Sequence, residues 1–170
     1  MINYKRNSNP KYYEEHCDEA NCGSYALNLQ GWYDPEGYFC DMYGCEYPND
    51  VMEILYENGY DEDEMNQIYV DTLVEGILKE FEDELRLLRW GDKPKNNEEL
   101  IAFRTFVFFD EEYCSDFDYD FHFKVFRNGK WMEKQGWHEV KECTKDEWGY
   151  YNSKTYYFAH KIIGEENVQM

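Results

Sequence analysis

Apolar residues recur with a helical period through the first half of the chain and with a strand period through the second. From Asp61, with Glu64 three residues on as a reciprocal cap, Met65, Tyr69, Leu73, Ile77, Leu78, Phe81, Leu85 and Leu88 mark one face of a long helix over about 61–90. Trp90-Gly91 closes it, and Lys93-Pro94 prevents its continuation. Glu75, Glu80, Glu82, Asp83 and Glu84 read as its solvated outer face. Shorter helices are predicted from Cys22, ended by Gly31, and over 51–58, capped by Asn49 or Asp50 and closed by Gly59. Beyond residue 100 the period falls to two. Phe103, Thr105, Val107 and Phe109 alternate with Arg104, Phe106 and Phe108, and Tyr119, Phe121, Phe123 and Val125 alternate with Asp120, His122, Lys124 and Phe126. Asn128-Gly129 is a two-residue hairpin signal with its return strand over 130–134, and a last strand fits 155–163. Helices first and antiparallel strands afterwards predict one α+β domain over 1–170. It divides into an irregular Cys-rich region (1–48), a helical region (49–91) and an antiparallel sheet (100–163) on which the helices pack.

Composition narrows what such a domain can bind. Asp and Glu number 37 against 17 Lys and Arg, a net charge of −20, while 17 Tyr, 11 Phe and 5 Trp exclude a disordered acidic tail. That charge repels nucleic acid and anionic membrane surfaces alike. No apolar run approaches the roughly 18 residues of a spanning helix. The first ten residues are polar and carry no signal-peptide pattern, so a cytoplasmic location is expected, with no membrane partner. Six cysteines in a chain of this size, four of them within the first 45 residues, point to metal or catalytic chemistry rather than to a disulfide framework.

His122 falls on the strand face opposite Phe121 and Phe123, where an imidazole can serve a thiol. A nucleophilic Cys needs such a base because the thiolate is the reactive form, and a helix N-terminus assists it. Cys22, heading Cys22-Gly23-Ser24-Tyr25-Ala26-Leu27, suits that role, and Glu133 across the hairpin is the nearest carboxylate able to orient the ring. Asn21 to Leu27, Asp120-Phe121-His122-Phe123 and Gly129-Lys130-Trp131-Met132-Glu133-Lys134-Gln135-Gly136 together resemble the papain-like, NlpC-type cysteine peptidases and amidases of small bacterial and phage proteins. The resemblance covers about a fifth of the chain. It implies a papain-like fold with Cys22 as nucleophile, His122 as base and a third residue on the return strand. There this chain departs from the family, with Glu133 where a His is usual.

Cys17-x4-Cys22 and Cys40-x4-Cys45 are pairs of equal spacing, which suits a tetrahedral zinc site with His16 or His138 as substitutes for one thiolate. A closed zinc site would occupy Cys22, so the metal and nucleophile readings exclude one another. Asp61-Glu62-Asp63-Glu64 and Asp110-Glu111-Glu112 lack the ligand spacing of a calcium loop.

The charge offers a third reading. Asp110, Glu111, Glu112, Tyr113, Asp116, Asp118 and Tyr119 interleave carboxylates with aromatic rings, the composition of a surface that enters a basic groove built for nucleic acid. In size, charge and Tyr content the chain is similar in character to phage counter-defence proteins of the anti-CRISPR kind. That similarity implies an inhibitor that blocks nucleic-acid loading by a host protein such as an RNA-guided nuclease. The excess charge and the departure at Glu133 favour the inhibitor, with the Cys22–His122 thiol hydrolase as the alternative.

Overall fold

The computed structural model describes residues 4–109 and 117–162. Five α-helices precede or cover a six-stranded antiparallel sheet, an α+β architecture. In chain order the elements are β1 (Lys5–Arg6), α1 (Pro10–Glu15), a 3-10 turn (Cys17–Glu19), α2 (Cys22–Leu27), β2 (Leu29–Gln30), α3 (Gly37–Met42), α4 (Pro48–Glu57), α5 (Glu62–Glu80), β3 (Leu85–Leu88), β4 (Glu98–Phe109), β5 (Phe117–Arg127), β6 (Lys130–Lys134), β7 (Val140–Glu142) and β8 (Tyr156–Lys161). The large sheet runs β3-β8-β4-β5-β6-β7, and β1 and β2 pair separately.

Local chemistry sets these boundaries. Asn21 and Ser24 cap α2 reciprocally, at 3.0 Å from Ser24 N to Asn21 Oδ1 and 2.7 Å from Asn21 N to Ser24 Oγ. Asp61 and Glu64 do the same for α5. Asn28, in the left-handed region at φ 56°, ends α2 three residues before the predicted Gly31. Pro48 opens α4 earlier than the sequence pattern suggests, because a residue without an N–H costs nothing at the first helical position. Asn128 and Gly129, at φ 54° and 77°, form the hairpin turn between β5 and β6.

The long helix is shorter than predicted. It stops at Phe81, and Leu85–Leu88 becomes an edge strand paired with β8. Positions 81, 85 and 88 fit a helical period, but backbone pairing to an available sheet edge outweighs local periodicity in a four-residue run. Glu82, Asp83 and Glu84 therefore lie in a turn and not on a helix face. Glu84 points inward, paired with Arg6 and 3.4 Å from His160. The first 48 residues hold three short helices and a two-stranded ribbon, and β4 begins at Glu98.

The core lies between α2, α3, α4 and α5 on one side and one face of β4, β5 and β8 on the other. Tyr33, Phe39, Tyr69, Leu73, Phe103, Phe123 and Phe158 fill it. At Gly23 a Cβ would stand 2.6 Å from the Tyr33 ring and 3.1 Å from Phe123. Glycine there lets the first turn of α2 settle on β5, which places Cys22 beside that strand.

Candidate active site

Cys22 is the first residue of α2, where the asparagine cap delivers it against β5. Its Sγ donates a long contact to Phe121 O at 4.0 Å, and the N–H groups of Phe123, Gly23 and Cys22 itself lie close to the sulfur. Burial pushes this thiol up to about 12, and the nearby Asp120 charge adds to the shift against the backbone donors. Cys22 at rest is therefore a protonated thiol.

His122 lies one residue along β5 from that contact, on the sheet face turned away from the helical core. Its Nε2 sits 2.8 Å from Glu133 Oε1, with the two side chains 4% and 7% exposed. Its Nδ1 has no hydrogen-bond partner among the described residues. The imidazole stacks on Tyr151 at 5.2 Å and meets the edge of Trp148 at 6.0 Å. Burial alone would raise the Glu133 carboxyl. The hydrogen bond and charge of His122, with help from Gln135 and Lys124, bring it below the ordinary value. Gln135 Nε2 donates to the same carboxylate oxygen at 3.3 Å.

Cys22, His122 and Glu133 all line one cleft of about 700 Å³, together with Asp120, Trp148 and Tyr151. No hydrogen bond links Cys22 to His122 in this structure. Tyr151 bridges the site instead: its ring covers the imidazole, and its hydroxyl donates to Asp120 Oδ2 at 3.3 Å. Asp120 also accepts from Phe121 N, and partial burial raises its carboxyl above the usual range.

Two buried lysines hold the loops that frame the cleft. Lys124 Nζ donates to Thr144 O at 2.6 Å and to Glu147 O, with the Trp148 ring 4.4 Å away. Lys134 Nζ donates to the carbonyls of Cys17, Ala20 and Gly136, tying the segment ahead of Cys22 to the end of β6. Burial pulls both ammonium groups below the ordinary lysine value. Sequence reasoning missed Lys124, Lys134, Trp148 and Tyr151. The alternation of β5 put Lys124 on the His122 face and could have flagged it, whereas the aromatic pair comes from a loop with no periodic signal.

The four cysteines of the zinc reading do not converge. Cys17 lies in the 3-10 turn, Cys22 starts α2, and Cys40 and Cys45 sit at the end of α3. Among the described residues no group of three or more His, Cys, Asp and Glu side chains is placed to hold a metal ion. Cys45 N donates to Cys40 O at 3.0 Å and Gly44 N to Asp41 O at 3.2 Å, with Gly44 at φ 66°. That double hydrogen bond is the Schellman ending of a helix, and it accounts for the second Cys-x4-Cys spacing as a helix cap. His16 pairs with Glu19 at 3.1 Å, and His138 stacks on Trp137. Of the proposed acidic surface, Asp110, Glu111, Glu112, Tyr113 and Asp116 lie outside the described residues. Asp118 is exposed on β5, and Tyr119 packs edge-on against Tyr69. No helix among the described residues is long and apolar enough to cross a membrane.

No family model, curated protein or solved structure matches this chain.

Proposed function

We infer that the chain is a papain-like thiol hydrolase that cleaves an amide bond, with Cys22 as nucleophile, His122 as base and Glu133 as the group that orients the imidazole. One observation carries this reading: the three residues, on a helix and two strands, line the same cleft, with His122 held by Glu133 at 2.8 Å. Glu133 accepts from Nε2, which selects the tautomer whose Nδ1 can take a proton. Because the thiol is held up to about 12 and makes no hydrogen bond to His122 at rest, in this reading bound substrate must bring Sγ within reach of Nδ1; the proton then passes as attack begins, and no ion pair precedes substrate. Sulfur then adds to the carbonyl carbon, and the oxyanion meets the N–H groups of Cys22 and Gly23, which have no helical acceptor at the start of α2. The imidazolium returns its proton to the departing amine, leaving a thioester. Water, deprotonated by Nδ1, hydrolyses the thioester and restores the thiol.

Hydrolysis of a panel of peptidyl amides by the full chain tests this. Cys22→Ser should abolish turnover without loss of fold, His122→Ala should abolish it at a cost in stability because Glu133 loses its partner, and Glu133→Gln should lower kcat by about 10- to 100-fold. Turnover that survives Cys22→Ser overturns the assignment.

A second reading, occlusion of a basic nucleic-acid channel on another protein, draws support from the end of the sheet where β4 and β5 connect. Phe109 N donates to Glu62 Oε1, and Phe117 N donates to Asn49 Oδ1. Around them Tyr47, Tyr56 and Phe108 are exposed beside Glu57 and Asp118. Aromatic area within a carboxylate field suits a basic partner such as an RNA-guided nuclease. Binding that fades with salt and survives Cys22→Ser would favour this reading over hydrolysis.

A further inference from the structure

The cleft that holds Cys22 carries an unbalanced charge. Arg6, Arg86, Arg127, Lys79 and Lys130 are spent in ion pairs elsewhere, and Lys124 is turned onto backbone carbonyls. Four carboxylates line the cleft, Glu36, Asp120, Glu133 and Glu147, and none pairs with a Lys or Arg among the described residues; Glu133 is held by His122, whereas Asp120 and Glu36 have no basic partner. Glu36 precedes α3 and, among the described residues, its carboxylate accepts only from Tyr69 Oη, at 2.9 Å to Oε2. Asp120 is two residues before His122 on β5, and its charge acts on both Cys22 and Glu36. Lys141, the other lysine on the wall, belongs to β7, two strands away from Asp120, and faces Glu133 across the β6–β7 ladder.

The same cleft contains unsatisfied capacity for a ligand. His122, 3% exposed, lines it with Nδ1 unpartnered among the described residues, and Cys22, 5% exposed, donates only a long contact to a carbonyl. Partial burial raises both carboxyls, Glu36 to about 7 with the neighbouring charges of Asp34 and Asp120 adding to its shift. Such groups gain most from a cation that replaces the water they have lost. Trp32 borders the cleft and can cover the aliphatic part of a long side chain.

We propose that Asp120 and Glu36 form a recognition subsite for a positively charged side chain, so that the preferred substrate is an amide whose residue next to the scissile bond carries a primary ammonium or guanidinium group. This rests on the hydrolase reading for the word substrate, but the subsite itself is a binding claim. The test therefore separates binding from chemistry. Full-length Cys22→Ala protein is titrated calorimetrically with N-acetyl-lysinamide and with its uncharged counterpart, N-acetyl-norleucinamide. The lysine amide should bind at least about tenfold more tightly, with an advantage that shrinks as salt rises. Glu36→Gln and Asp120→Asn, which keep the hydrogen bonds from Tyr69 and Tyr151, should each reduce the advantage and together erase it. Equal affinity for the two amides, no measurable binding of either, or a preference indifferent to both substitutions overturns the subsite. In parallel, the wild-type chain is assayed on the anilides of acetyl-lysine and acetyl-norleucine. Lysine preference in binding without any Cys22-dependent cleavage leaves the subsite standing and removes the hydrolase. Cys22-dependent cleavage of both anilides at equal kcat/KM does the reverse.

Discussion

Between Phe121 and Val125 the two faces of β5 are both buried, but by opposite means. On one face Phe121, Phe123 and Val125 meet Phe103, Tyr33 and the first turn of α2, with ring centroids 4.6 Å apart for Phe103 and Phe123. On the other, His122 and Lys124 are 3% and 1% exposed, yet each is held by oxygen atoms supplied by a neighbouring strand or loop. The first face loses little when one apolar residue replaces another of like volume. The second has no such tolerance, because each polar group removed from water relies on a specific partner. One strand thus carries a surface that stabilises by area and a surface that is sustained only by geometry, and the candidate chemistry sits on the latter.

Four substitutions put this contrast under strain. The largest loss of stability is expected for Phe123→Ala, about 3–5 kcal/mol in urea denaturation, since the cavity opens under both α2 and β4. Lys134→Met comes next. It keeps the volume of a long chain but strands the carbonyls of Cys17, Ala20 and Gly136, so about 2–3 kcal/mol should be lost, together with faster alkylation of Cys22 as its flanking segment loosens. A methionine variant as stable as the wild type would erase the distinction between the two means of burial.

Glu36→Gln should stabilise, by about 1–2 kcal/mol at pH 8. The folded carboxyl, raised to about 7 by burial, binds its proton more tightly than the unfolded one at the ordinary 4.5. Wild-type stability therefore falls as pH climbs from about 4.5 to 7, with the penalty complete above 7. The Gln variant should lack that slope in melting temperature measured against pH. The smallest effect belongs to Trp90→Ala. Trp90 is fully exposed, and a change within about 0.5 kcal/mol is expected despite its size.

The β4 and β5 strands, the 128–129 turn and the capping box of α5 were legible because their signals are local: alternation, a turn dipeptide, a cap and its partner three residues on. The fate of 85–88 was not, since Leu85-Arg86-Leu87-Leu88 satisfies a helix as well as a strand and only β8, some seventy residues later, decides between them. The candidate site divides the same way. Cys22, His122 and Glu133 stood out because each sits in a short stretch with a recognisable chemical pattern, and the structure places all three on one cleft. The free thiol–imidazole hydrogen bond that the pairing suggested is missing, because Cys22 reaches β5 beside its backbone while His122 projects from one face. Tyr151 and Trp148 were invisible, as a loop residue announces itself by the partner it finds and not by any period of its own. Glu36 was hidden for a similar reason, since its unpaired state depends on where seventeen distant cations went.

Lys134 performs, with one side chain, the task that the spacing of the cysteines suggested for a metal. Three carbonyl oxygens from two separate segments converge on a single positive centre and fix the chain just ahead of α2. A staple made this way is part of the polypeptide. No chelator can strip it, no reductant can open it, and it assembles without waiting for any ion to be delivered. Its weakness is of another kind: reagents that acetylate amines, harmless to a zinc knuckle, would dismantle it if they reached it before the chain had folded around it.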